Sequence, residues 1–274
     1  MKYKEIEKLS RKKFRRKVGI KIDTFKKMAA ILKEKELEKN VKGGKPNSLL
    51  IKDKLLMTFE YLREYRTYFY IAVAYGLSES TCYRNIRWIE DTLIKHKDFS
   101  LPGKKELLQN NRLKVVLTDA TESPIERPKK KQKEFYSGKK KRHTLKSQIT
   151  VDKESKKIIS TDLSNGKMHD FKLYKRSNTA IHPDIKSIND SGYQGLQKMH
   201  INTELPKKKS KGSSLSKSDK AYNKELSSKR SLNENVIASI KRFKIVADRY
   251  RNRRRRFGLR FNLICGIYNW ELKN

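Results

Sequence analysis

The sequence predicts an α/β domain built on a mixed sheet, preceded by a smaller all-helical module. Three observations predict it. Apolar residues recur at helical spacing up to about residue 95, β-branched runs replace them after Pro102, and a helical pattern returns from about Lys220 to Tyr250. Strands, helix, strands and helix in that order suit a mixed sheet with helices packed on it. A length of 274 residues accommodates both parts. The boundary falls between 100 and 101, with helices in 1–100 and the α/β domain in 101–274.

Residues 1 to about 40 read as charged helices, with Ile22, Phe25, Met28, Ala29 and Leu32 on one face. Gly43–Ser48 reads as a loop. Leu49, Leu56, Phe59 and Leu62 form the next apolar stripe. A helical pair then spans about 49–95: Thr67 caps one helix, Gly76 makes the turn, and Ser78 caps a second helix. Cys82, Ile86 and Ile89 face inward there, leaving Ser80, Tyr83, Arg84 and Arg87 outward. Helix, Gly-containing turn and helix with an outward Tyr/Arg face is the form of a DNA-reading helix-turn-helix, although a plain helical hairpin with solvated arginines has the same pattern.

After Pro102, LKVVLTDA, HTLKSQITVD and KKIISTDLS read as three strands of a meander. HDFKLYKRSN is a short helix, IKSIND a strand ending in a Gly-flanked turn, and NTELPKK one more strand. Ser210–Lys220 reads as a loop before the long helix, and RYRNRRRR (249–256) as a phosphate-binding tail of that helix, with a localisation signal as the alternative.

The charge balance is extreme: 68 Lys and Arg against 30 Asp and Glu, a net charge of +38. Such an excess repels itself unless a polyanion neutralises it, and nucleic acid does so with release of counterions. A membrane-surface protein would concentrate the charge in one amphipathic helix, whereas here it runs along the whole chain. The longest apolar runs are too short to span a bilayer, and the N-terminal segment lacks the apolar core of a signal peptide. Cys82 and Cys265 stand far apart and outside any zinc spacing. The expected setting is soluble and cytoplasmic. No GxGxxG, P-loop or GxSxG is present, so nucleotide-driven and serine-hydrolase mechanisms have no support.

Against this basic background a few isolated acids stand out. Asp119 ends the run LKVVLT and Asp190 ends IKSIND, and a carboxylate at the end of a buried strand is costly unless paired, capped or bound to metal. Glu234 lies on the long helix within roughly 40° of Arg230 and Lys241, beside an apolar stripe of Val236, Ile240 and Phe243. Taken alone, Glu234 with Arg230 is an ordinary i,i+4 surface pair. Taken together, the three carboxylates suit phosphodiester chemistry, in which two hard cations activate a nucleophile and stabilise a leaving oxygen. Basic residues interleave with Phe135 and Tyr136 in Lys129–His143; Lys129, Lys130, Lys131, Lys139, Lys140, Lys141 and Arg142 suit a phosphate backbone, as do Arg253 and Arg254. His169 and Asp170 begin the short helix, where Asp170 complements the N-terminus and His169 is a secondary candidate near the site.

TDATESPIERPKKKQKEFYSGKKKRHTLK, GKMHDFKLYK, NDSGYQGL and RSLNENVIASIKRFK closely resemble the DDE transposases of bacterial insertion sequences. The group is the one founded by insertion sequence five and related to the eukaryotic Harbinger transposases. YLREYRTYFYIAVAYGLSESTCYRNI resembles the helix-turn-helix segment that precedes the catalytic domain there. The likeness runs from about residue 45 to the C-terminus. It implies an RNase H-like mixed five-stranded sheet and a metal-binding catalytic triad of Asp119, Asp190 and Glu234, taking two Mg²⁺ or Mn²⁺ ions. Arg230 and Lys241 match the family's flanking basic positions. The family's Tyr upstream of that Arg is absent, since residue 227 is Ser; Tyr222 is the nearest substitute. The resemblance further implies binding to terminal inverted repeats in double-stranded DNA, cleavage to free 3′-OH ends, their transfer to target DNA, and a homodimer or higher assembly on the bacterial nucleoid. The rival reading is a non-catalytic DNA-binding regulator, a decayed or domesticated relative. A basic RNA-binding protein is a third, for which no recognisable module is present.

Overall fold

The apolar spacing of the first hundred residues becomes a run of helices: α1 (Tyr3–Ile6), α2 (Arg11–Val18), α3 (Ile22–Asn40), α4 (Ile51–Phe59), a π-helical turn at Glu60–Glu64, α5 (Tyr68–Tyr75) and α6 (Glu79–Lys95). The strand region supplies β1 (Val115–Pro124), α7 (Gln132–Phe135), β2 (Tyr136–Ser137), β3 (Arg142–Asp152), β4 (Ile158–Asn165), α8 (Asp170–Arg176), β5 (Lys186–Asn189) and β6 (Thr203–Glu204). The chain ends with α9 (Lys217–Lys241), α10 (Lys244–Ala247) and α11 (Phe257–Lys273). The computed structural model describes residues 2–41, 49–109, 113–209 and 214–273. The predicted loop Gly43–Ser48 and the first residues of the predicted loop at 210–220 lie outside the described residues. From Lys217 onward that second segment is already helix, and Ser216 Oγ accepts the Asp219 N–H at 3.0 Å as its cap.

Two units are formed. The first comprises Met1–Ser100, Ile240–Asp248 and Arg256–Asn274; the second comprises Leu101–Ser239 and Arg249–Arg255. The chain therefore passes between them again after α9, and α11 belongs with the N-terminal helices rather than with the sheet.

In the first unit, packed rings form the core. Phe25 stacks on Tyr3 with centroids 5.2 Å apart, and lies 6.4 Å from Phe59, itself 6.4 Å from Phe243. The hairpin of α5 and α6 has the caps its sequence predicts: Thr67 accepts from the Tyr70 N–H, Ser78 from the Thr81 N–H, and Gly76 closes α5 at φ 64°. Cys82, Ile86 and Ile89 are fully buried. α11 is held to α6 by a buried ionic cluster: Glu90 accepts from Arg260 Nε at 2.7 Å and Arg256 Nε at 2.9 Å. Gly266 lies against the Phe99 carbonyl, where no side chain fits.

In the second unit, the sheet order is β4–β3–β1–β5–β6, with β2 following β4 along the same edge of β3. Six strands thus fill the five positions expected. β4, β3 and β1 are antiparallel neighbours, while β1, β5 and β6 are parallel. Neighbouring residues of β1 point to opposite faces. Val116 packs with Tyr174, Ile185, Tyr193 and Leu196, while Leu117 and Ile188 pack with Leu226 of α9. Tyr222, considered above as the replacement for a family tyrosine, also packs against this second cluster.

Candidate active site

β1 and β5 lie side by side, and their parallel register ends with Thr118 opposite Asn189. The next residue on each chain is an aspartate, Asp119 and Asp190. β5 stops there, as its sequence predicts. β1 does not: it continues to Pro124, so Asp119 sits within the strand rather than at its end. The reason is β3, which continues as an antiparallel partner; Thr121 and Ser123 are buried on pairing with Ser147 and Leu145. Asp190 caps the turn Ser191–Tyr193, its Oδ1 accepting the Gly192 N–H at 2.8 Å.

The Asp119 carboxyl is pushed up to about 6, first by burial out of water and then by the like charges of Asp190 and Asp170. The Ala120 N–H, 2.7 Å from Asp119 Oδ1, and the Arg230 guanidinium oppose the rise. Arg230, on α9, places Nη2 4.0 Å from Asp190 Oδ2. Glu234 follows one turn later on the same helix face, is exposed, and makes no hydrogen bond or ion pair with either aspartate. It does not pair with Arg230 either, so the simple i,i+4 surface pair is not formed. Lys241 is the last residue of α9 and is partly buried.

The structure adds members that sequence reasoning passed over or ranked low. Asp170 is more than a helix-complementing charge. Its Oδ1 takes a hydrogen bond from the buried Lys146 Nζ at 2.7 Å, and a Cβ on Gly192 would stand 2.7 Å from its Oδ2 and 3.0 Å from Asp190 Oδ1. Lys146 also donates to the Met168 carbonyl at 2.5 Å, tying β3 to the start of α8. Tyr193 is wholly buried, donates to Gln148 Oε1 at 3.3 Å, and has its hydroxyl pushed well up by burial and by Asp170, Asp119 and Asp190. Nε2 of Gln148 and Oδ1 of Asn189 are buried without partners. The available signals were the Tyr three residues after Asp190 and the Asp directly after His169. His169 is exposed at the N-cap of α8, where its side chain makes no capping bond.

The donor set therefore suits a hard cation: carboxylate oxygens that repel one another, set among buried amides that still lack partners. Asp119 and Asp190 fit such an ion. Among the described residues, however, no group of three His, Cys, Asp or Glu side chains is close enough to hold a metal. The three predicted ligands are not assembled as one cage.

Of the surface candidates, Ser80, Tyr83, Arg84 and Arg87 lie exposed on α6; Arg87 donates to the Tyr83 hydroxyl at 3.2 Å. Lys129, Lys130, Lys131, Lys139, Lys140, Lys141 and Arg142 are exposed around α7 and β2. Arg253 and Arg254 are exposed too, but RYRNRRRR is not a tail of the long helix. α9 ends at Lys241, and Tyr250 pairs with Ile125 beyond the end of β1, so the arginines form a separate loop.

Residues 118–269 match the family model described as DDE superfamily endonuclease, and residues 47–97 match that of its helix-turn-helix. The chain belongs to the DDE endonuclease superfamily, among the insertion-sequence transposases. It is 46% identical over 273 residues, 99% of each chain, to the "Probable transposase for insertion sequence element IS702" of Microchaete diplosiphon. No solved structure matches. In this DDE endonuclease the matched segment opens at Thr118, one residue before Asp119, and the helix-turn-helix match covers α5 and α6. Endonucleases of this superfamily generally use divalent metal ions, and the helix-turn-helix implies binding to DNA. No helix among the described residues is long and apolar enough to cross a membrane.

Proposed function

We propose that this transposase binds the terminal inverted repeats of its element, cuts the DNA to free 3′-OH ends and joins them to target DNA. Asp119, Asp190 and Glu234 are its metal-binding triad. The observation that carries the reading is the matched position of Asp119 and Asp190 at the end of the β1–β5 register, with Arg230 reaching Asp190 from α9. Bound Mg²⁺ or Mn²⁺, as two ions, supplies activation of the attacking oxygen and stabilisation of the leaving one.

The chain's own residues do the rest. Asp119, within β1, and Asp190, directly after β5, offer carboxylate oxygens from backbone held by the sheet, which limits the reorganisation needed at each step. Glu234, one helical turn from Arg230 on α9, is the third carboxylate of the set. Arg230 balances charge beside Asp190, Lys241 is the second flanking basic position on α9, and His169 is the accessory residue before Asp170. Ser80, Tyr83, Arg84 and Arg87 read the repeat from α6, while the basic residues around β2 and Arg253–Arg254 hold backbone phosphates. Residues 1–100 serve recognition and 101–274 catalysis. Two ends must be held together, so the working form is at least a homodimer, acting on nucleoid DNA in the bacterial cytoplasm.

The test is cleavage of labelled duplex carrying the element's terminal repeats by wild type, Asp119→Ala and Glu234→Ala, with and without Mg²⁺ or Mn²⁺. Metal-dependent nicking at the repeat end, lost in both variants while binding persists, supports the reading. Binding without cleavage under either metal would make the chain a DNA-binding regulator instead.

A further inference from the structure

The two most basic segments of the second unit are far apart in sequence and joined in the fold. Lys129–Arg142 holds eight Lys or Arg and one acid, Glu134; Arg249–Arg255 holds five Arg and no acid. Tyr250 locks them to one place. It is fully buried, its N–H donates to the Pro124 carbonyl at 2.8 Å, and its hydroxyl donates to the Arg255 carbonyl at 2.6 Å. Its own carbonyl accepts the Glu126 N–H at 3.4 Å, completing a parallel bridge between Ile125 and Tyr250. Arg254 then lies over the Phe135 ring, 4.5 Å from its centroid, so the arginine loop touches α7 directly.

The backbone of this platform is strained. Arg253 and Arg254 are consecutive left-handed residues at φ 46° and 67°, and Lys131 and Lys141 adopt φ 57° and 52°. A left-handed non-glycine residue is unfavourable and persists only where its surroundings hold it. Tyr250 is that hold for the loop. The result is a crowd of exposed cations: among the described residues, Arg253, Arg254 and Arg255 have no carboxylate partner. Self-repulsion of this kind is relieved by a polyanion.

We propose that these two segments form one clamp on the backbone of duplex DNA at a fixed distance from the cleaved bond. From Asp119 to Ile125 is six residues of extended chain, roughly 20 Å at 3.3 Å per residue. Duplex DNA rises about 3.4 Å per base pair, so the clamped phosphates stand about six base pairs from the bond cut at Asp119. Such contacts read no bases; they set the register in which the duplex enters the site. The distance rests on the catalytic reading above, whereas the unity of the clamp does not.

Two measurements on the full chain test it. The first is the salt dependence of binding to a duplex of the repeat end, for wild type, Arg253→Gln/Arg254→Gln and Lys139→Gln/Lys140→Gln/Lys141→Gln. Each lost phosphate contact should lower the slope of log K against log salt by about 0.9, with binding about tenfold weaker or more for either variant. The second is phosphate-ethylation interference on the same duplex. One cluster of phosphates, about six base pairs from the nick, should lose its effect in both variants, while the interference due to α6 stays. Unchanged slopes, or two separate phosphate clusters, would overturn the single clamp. If one cluster is found but Asp119→Ala still cleaves, the clamp stands and the catalytic assignment fails.

Discussion

Lys146 Nζ stands 2.7 Å from Asp170 Oδ1, and the other oxygen of that carboxylate closes on Gly192 beside Asp190. A cation buried on β3 thus holds an acid on α8 against the aspartates of β1 and β5. Removing Lys146 leaves Asp170 without its counter-charge among like charges. Lys146→Met is expected to lower the unfolding free energy by about 3 kcal/mol, and Lys146→Met/Asp170→Asn by clearly less. Denaturant unfolding of both variants and wild type measures this, and equal losses would show that the pair is not coupled.

Gly192 has no room for a side chain between the carboxylates of Asp170 and Asp190. Gly192→Ala must push at least one of them aside. A displacement near 1 Å at reacting groups is worth about a hundredfold in rate. Strand cleavage by Gly192→Ala is expected to fall by about that factor while repeat binding is unchanged; wild-type cleavage rates would mean the carboxylate positions are not critical.

Asp119 links stability to pH. Its folded value of about 6 lies above the ordinary 3.8, so the folded chain holds the proton more tightly than the unfolded one. The charged carboxylate therefore lowers stability progressively from about pH 4 to about pH 6 and in full above it, by roughly 2–3 kcal/mol. In metal-free buffer, Asp119→Asn should melt higher than wild type at pH 7.5 and match it near pH 4. A lower melting temperature for the variant at pH 7.5 would contradict this.

Glu90 is fully buried and accepts from Arg256 and Arg260, and Arg260 also donates to the Tyr68 hydroxyl at 3.1 Å. Glu90→Ala removes the carboxylate that pairs with the buried Arg260, while Arg256 keeps Asp91 at 2.7 Å, and is expected to destabilise by about 3 kcal/mol. Thermal melts of Glu90→Ala against Glu90→Leu/Arg260→Met check it, the second variant recovering much of the loss. The same change should leave the sheet of the second unit in place by hydrogen exchange.

Much of the fold was legible in the sequence because its signals are local. Thr67, Gly76 and Ser78 sit where a cap or a left-handed turn is needed, and the β-branched runs name β3 and β4 within a residue or two and the start of β1. Asp119 misled on one point. A polar ATESP reads as the end of a strand, yet β3 supplies a partner on one side after β5 has stopped on the other. The arginine run misled likewise, since nothing local shows that α9 ends at Lys241 and that Tyr250 returns the chain to Pro124.

By itself, the sequence determined the helix-turn-helix, the order of the main strands and helices from β1 to α9 and the basic character, and it named the three carboxylates that the family motif marks. Those depend on interactions within a few residues or on the motif. The tertiary structure alone decided that Asp170 and Lys146 join the aspartates, that Tyr193 lies buried beneath them, and that two basic segments share one end of β1. The reason is physical: strand pairing and burial bring together charges more than twenty residues apart. No periodicity records which of many acids and bases will meet.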